Sequence, residues 1–205
     1  MNDFLYTYKE MESLKNFKTN DVIVRRFEMN DLEDIHYNIL IQDDVIDMAN
    51  YTPHKNIDES RIILKSAINE YYTDEPIWAV EDKKNKNLVG FIRVSKYSRK
   101  NKKCHLTWAV AHQYWDSSFM KEALIQTMNF LFSKKDIELI ISSYYEQNKI
   151  SSVILESIGM RKEAVLRERR INEKTNEKEN FVIYSINKQE FYEVNCIKNQ
   201  LAKCQ

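Results

Sequence analysis

The stretch HQYWDSSFMKEAL, residues 112–124, brings together groups suited to an anion. It runs from a strand-like segment into a helix-like one. Asp116, Ser117 and Ser118 are good helix starters, because their short side chains accept hydrogen bonds from the free amides of a first turn. A turn of this kind often cradles phosphate, although glycine is what usually lets the backbone come close, and this turn has none. Proton chemistry points to His105, whose ordinary pKa suits proton uptake near neutrality. Cys104 is its neighbour, but strand alternation sends adjacent side chains to opposite faces, so a thiol–imidazole nucleophile pair is not expected. His36, His54 and His112 lack any partner spacing. The three cysteines, Cys104, Cys196 and Cys204, have no metal-like spacing and read as reduced thiols, so neither a metal nor a disulfide framework is expected.

These groups must be positioned by the surrounding elements. Residues 21–28 read as a strand and 30–40 as a helix capped by Asn30 or Asp31. A second helix is expected over 57–72, with Ile62, Ile63, Ala67, Ile68 and Tyr71 on one face. Three strand-like runs follow at 77–82, 87–97 and 103–111, separated by short charged turns, which is the pattern of an antiparallel meander. From Phe119 to about residue 133 the apolar spacing becomes helical. Residues 137–145 then read as a buried strand, and 149–159 as a short helix with Gly159 at its C-terminal cap. A last strand pair surrounds the turn NEKTNEKE, and Phe191, Val194, Ile197 and Leu201 fall on a plausible amphipathic tail helix. The layout is α+β: a polar, helix-prone extension (1–20), a main domain (21–188) and a helical tail (189–205). The tail either covers the sheet or meets another subunit, so a homodimer stays open.

Composition narrows the function. Lys plus Arg (31) balances Asp plus Glu (31), which argues against nucleic-acid binding through bulk charge. The cationic run SKYSRKNKK (95–103) is most simply a solvated loop. The leader has no apolar signal-peptide core and no window approaches a membrane span, so the expectation is a cytoplasmic protein without a membrane partner.

With these residues in view, the chain resembles the GNAT superfamily of acetyl-CoA-dependent N-acetyltransferases, most closely the branch of the ribosomal-protein N-terminal acetyltransferases. The likeness covers roughly residues 20–190. VIVRRFEMNDLEDI resembles the family's first strand and helix, and IWAVEDKKNKNLVGFIRV its next hairpin, with Gly90 at a glycine common there. QYWDSSFMKEAL is similar to YWGxGYxxEAL. The more specific match is NKISSVILESIGMRKEAVLRE, in which Asn148, Ser151, Leu155, Glu156, Gly159, Glu163 and Arg167 keep the spacing of NxxSxxVLExxGFxxEGxLRE.

The resemblance implies a mixed, mostly antiparallel sheet whose fourth and fifth strands run parallel and splay, with the pantetheine arm of acetyl-CoA between them. The arm and pyrophosphate would be held by Trp108, Val110, Gln113, Asp116, Ser117, Ser118, Phe119, Asn148 and Ser151. Asp116 and Ser118 stand where the family's phosphate loop has glycines. Ser118 would then carry a Cβ in a left-handed backbone at a cost of about 1–2 kcal/mol, and Asp116 facing the pyrophosphate would add repulsion. As general base the resemblance offers His105, at a position often acidic in relatives, with Glu81 second. Leu155 occupies the position of the family's tyrosine acid, so Ser151 is the candidate proton donor to the departing thiolate, and the Val110 amide the oxyanion donor. The implied activity is direct transfer of an acetyl group from acetyl-CoA to a primary amine, a protein N-terminus or a small molecule. The loss of the loop glycines and the tyrosine supports an alternative: a catalytically silent module of the same fold, binding CoA weakly or another ligand or protein.

Overall fold

The computed structural model describes residues 17–43, 45, 52–70, 73–134, 136–172 and 175–202. The extension before residue 17, Tyr71 and the last residues of the tail lie outside them, as do the side chains of Cys196, Ile197 and Leu201.

Eight strands form one sheet: β1 (Phe17–Lys18), β2 (Val22–Arg25), β3 (Ile77–Asp82), β4 (Leu88–Ser98), β5 (Lys103–Val110), β6 (Leu139–Tyr145), β7 (Arg161–Ile171) and β8 (Lys178–Asn187). Their order is β1-β2-β3-β4-β5-β6-β8-β7, and among the described residues only β5 and β6 pair in parallel. The two-residue β1 precedes the strands expected from sequence, so the expected fourth and fifth strands are β5 and β6. The meander β3 to β5 is antiparallel because each link is a short polar turn; β2 pairs antiparallel with β3 across the long helical connection 26–76, and reaching β6 in parallel takes a crossover through a helix.

That crossover is α3 (Phe119–Lys134); other helices among the described residues are α1 (Leu32–Ile35), α2 (Ile57–Glu70), α4 (Lys149–Ser157) and α5 (Lys188–Ala202). Two cores result. The larger joins Trp78, Ile92, Leu106, Met120, Leu124, Leu155 and Phe191. The smaller joins Phe27, Ile39, Leu64, Ala67, Ala79 and Phe91 under α1 and α2 on the other side. The tail helix begins on the first core, with the Phe191 ring 5.2 Å from Phe132. Gly159 has φ +93°, the left-handed cap expected after α4, and a Cβ there would meet Val194 at 3.0 Å.

Two expected details differ. The first helix is not uniformly α: a 3-10 turn (Met29–Asp31) leads into α1, which widens to a π turn over His36–Leu40. In α2 the buried stripe is Ser60, Leu64 and Ala67, while Ile62 is 67% and Ile63 46% exposed. The helical period allowed two apolar stripes, and packing on β3 selected the one containing Leu64.

Besides Gly159, left-handed positions among the described residues are filled by Lys86, Lys96, Lys102, Asp136, Glu168 and Asn176. Each L-residue costs about 1–2 kcal/mol there. Lys102→Gly is therefore expected to raise unfolding free energy by about 0.5–1 kcal/mol, because the exposed Lys102–Asp136 pair it loses is worth little. Urea unfolding checks this; an unchanged or lower midpoint contradicts it.

Candidate active site

Strands β5 and β6 are zipped only over Lys103–Leu139, Cys104–Ile140 and His105–Ile141. The last tie is a buried side-chain bond, Ser142 Oγ to the Leu106 carbonyl at 2.9 Å. Beyond it the strands part, leaving the backbone edge of β5 open from Trp108 to Val110. A cleft of about 20 Å³ lies there, lined by Val45, Trp108, Ala109, Val110, Trp115, Asn148, Ile150 and Ser151. The fold thus joins Trp108 and Val110 from one motif with Asn148 and Ser151 from another, nearly forty positions apart in the chain. Ser142, Val45 and Ile150 were not read as site residues. Ser142 looked like an ordinary strand residue, and Val45 arrives on the α1–α2 connection, which carries no motif.

Asn148 is the N-cap of α4, its Oδ1 accepting from the Ser151 amide at 2.9 Å. This fixes the Ser151 side chain at the cleft, where its hydroxyl has no hydrogen-bond partner among the described residues. Asn148→Ala is expected to cost about 1 kcal/mol through loss of the cap, with Asn148→Asp recovering most of it. Equal unfolding midpoints for the alanine and aspartate variants would refute the capping argument. Leu155, where a tyrosine was sought, is fully buried core.

The turn after β5 does not have the backbone that the sequence suggested. No residue from 113 to 118 has positive φ, so Ser118 carries no left-handed penalty. The chain instead makes a 3-10 turn, His112–Tyr114, with the amides of Tyr114, Trp115 and Ser117 donating to the carbonyls of Ala111, His112 and Tyr114. Those three amides are consumed. Facing outward are Asp116 and Ser118, whose amides have no partner among the described residues, and the first turn of α3. Ser118 Oγ donates to Glu122 Oε1 at 2.9 Å and Ser117 Oγ weakly caps Phe119 N at 3.4 Å. Gln113 and Asp116 are exposed. The Trp115 indole donates to the Val110 carbonyl at 2.9 Å, occupying one acceptor on the open edge.

The two candidate bases are separated. Glu81 binds Arg25 Nε at 2.6 Å, and the same guanidinium holds Asp31 through two bonds of 2.6 and 2.8 Å. It is a buried structural carboxylate on β3, two strands away from β5, and the arrangement gives it no access to the cleft. His105 stands on β5 at the apex of the splay, on the face shared with Thr107 and Ala109. Burial, then the charges of Lys96 and Lys103, hold its pKa below the ordinary 6.5, which favours the neutral imidazole. It does not line the cleft itself; Thr107 lies between them. Cys104 is fully buried on the opposite face and its thiol is pushed up to about 12 by burial and by Glu75, which removes it from thiolate chemistry.

Among the described residues no cluster of three His, Cys, Asp or Glu could hold a metal, and no helix is long and apolar enough to cross a membrane.

Known proteins share this arrangement. The family model described as acetyltransferase (GNAT) domain matches residues 21–161. The Bacillus subtilis (strain 168) protein named uncharacterized N-acetyltransferase YoaA is 23% identical over 152 residues, 74% of this chain and 85% of that protein. An acetyltransferase (GNAT family) from Bacillus anthracis has the same fold, with TM-score 0.73 at 22% identity over 85% of this chain and 99% of that one. So does a ribosomal-protein-S5-alanine acetyltransferase from Vibrio fischeri, at TM-score 0.70 and 17% identity over 86% and 98% of the two chains. A family match across more than half of the sequence, on a sheet that splays at its one parallel pair, establishes that the chain belongs to the GNAT acetyltransferases.

Proposed function

We propose that this acyltransferase moves the acetyl group of acetyl-CoA to a primary amine by direct attack on the thioester, and that the acceptor is the α-amino group of a peptide or protein. The observation that carries the reading is the β5–β6 splay, which opens a backbone edge opposite Asn148 and Ser151 and leads to the start of α3. The residues present suit the co-substrate. The edge at Trp108–Val110 offers peptide groups to an amide-containing arm, and the outward amides of Asp116 and Ser118 with the first turn of α3 suit a pyrophosphate. Ser151 has a hydroxyl free to donate toward a departing thiolate, and the Val110 amide is the proposed oxyanion donor.

An α-amino acceptor fits because it titrates near 8, against about 10.4 for a lysine side chain, so it needs only a weak base. His105, neutral and set back from the cleft, is suited to take the proton through Thr107 or water. The fold shared with a ribosomal-protein acetyltransferase supports a protein N-terminus as acceptor.

Calorimetric titration with acetyl-CoA and with CoA, followed by a thiol-release assay with short peptides, tests this. Micromolar binding and peptide-dependent thiol release are the expected results. Absence of binding at millimolar acetyl-CoA would overturn the reading in favour of a silent module.

A further inference from the structure

Among the described residues, no ionisable side chain lines the cleft between β5 and β6. The charged and titratable groups around it are set apart. On β5, His105 lies behind Thr107; on β6, Tyr144 is bonded to Tyr184, and Glu146 accepts from Asn180 Nδ2 at 2.7 Å. Lys149 and Glu156 on α4, and His112 and Asp116 in the turn after β5, are exposed. What meets the cleft is the N-terminus of α4, a helix of nine residues. The first amides of a helix have no acceptor within it. Here Lys149 N donates to the Gln147 carbonyl and Ser151 N to Asn148 Oδ1, both at 2.9 Å, while the Ile150 amide between them has no partner among the described residues. Ser151 is only 7% exposed, yet its hydroxyl has no partner there either. A buried hydroxyl left unpaired costs stability unless a ligand meets it. Beside it the cleft, at about 20 Å³, has room for one terminal atom.

We infer that the N-terminus of α4, through the Ile150 amide and the Ser151 hydroxyl, binds the departing sulfur of CoA as a thiolate, so that the reaction needs no protein acid. This rests on the proposed transfer from acetyl-CoA. In that reaction the amine nitrogen bonds to the thioester carbon, and the C–S bond breaks with its electron pair on sulfur. The proton of the attacking nitrogen leaves through His105 or water, so the products are an amide, a thiolate and one proton. Ser151 gives a hydrogen bond and keeps its own proton. A thiol titrates near 8.5 and water near 15.7, so proton transfer from a hydroxyl of water-like acidity to the thiolate is uphill by about 10⁷-fold. A helix N-terminus favours an anion, and cysteine thiols placed at one fall to between about 3.5 and 7.5. The buried Leu155, where the resemblance would place a tyrosine acid, fits a leaving group that requires none.

The test reads protons rather than turnover. The whole protein is titrated calorimetrically near pH 7.5 with CoA and with desulfo-CoA, which lacks the sulfur, in buffers of different ionisation enthalpy. If binding brings the thiol from about 8.5 to about 7, CoA releases about 0.7 proton more than desulfo-CoA does. In Ser151→Ala this difference is expected to shrink about twofold or more, and Ser151→Thr, which keeps a hydroxyl, is expected to restore it. Proton release by CoA no greater than by desulfo-CoA overturns the inference, as does a difference that Ser151→Ala leaves whole. If neither ligand binds at millimolar concentration, the transferase reading fails and carries this inference with it. Binding without the extra proton fails the inference alone, so the two failures are distinguishable.

Discussion

His105→Gln is expected to lower kcat/KM for an α-amine acceptor by about 10²-fold, within the range of positioned general bases. The glutamine keeps a polar group of similar size on a half-buried strand position, so stability should change little. The pH profile is the sharper readout. In the folded protein the imidazole pKa lies below 6.5, lowered first by burial and then by Lys96 and Lys103. The reactive neutral form therefore predominates at pH 7: activity falls below about pH 8 with the neutral fraction of the acceptor amine, and a second acid limb, on the acid side of 6.5, marks protonation of His105. That acid limb should disappear in the glutamine variant, while the limb set by the acceptor amine near pH 8 remains. A variant with the wild-type acid limb would remove His105 from the proposed base role. The same sign applies to stability: protonation is favoured in the unfolded chain, so His105 adds a destabilising contribution as pH falls through 6.5.

Gly90→Ala is expected to be the most damaging single substitution in the sheet. A Cβ at this position would lie 2.0 Å from the Ala109 carbonyl oxygen and 3.0 Å from Met120 Cε. The methionine can swing aside, but the carbonyl belongs to β5, which is hydrogen-bonded to β4 on both sides of the contact. Relief must come from moving the strand edge Trp108–Val110. Overpacking of this kind costs about 1–3 kcal/mol in ordinary cores and more where backbone must shift, so a loss of about 3 kcal/mol is expected. Because the displaced segment lines the cleft, acetyl-CoA affinity should fall as well. A urea midpoint within experimental error of wild type would show that β5 yields easily and would refute the argument.

Much of this architecture could be read directly along the chain. The β-branched alternation of VIVR, the meander of three apolar runs between charged turns, and the 3.6-residue spacing after Phe119 each reflect local backbone preference and one-sided burial. Gly159 fell where an L-residue is strained, so its cap role was a local matter too. The spacing of Asn148 and Ser151 marked the start of α4 because a cap and its acceptor amide are three residues apart.

What tertiary structure decided is non-local. Parallel pairing that stops at His105–Ile141, and the Ser142–Leu106 bond where the strands begin to part, depend on two segments over thirty residues apart. No periodicity encodes where they separate. Glu81 looked like an available base because a strand position reports side-chain direction but not partners, and Arg25 claims it from across the sheet. The exposed Ile62 and Ile63 show the same limit in α2, where packing on β3 chose the stripe. The turn from Gln113 to Ser118 was expected to strain Ser118, yet it closed as a 3-10 turn on its own carbonyls. Residue type states what a backbone can afford. Only the packing of β5, α3 and α4 against one another settles which conformation it takes.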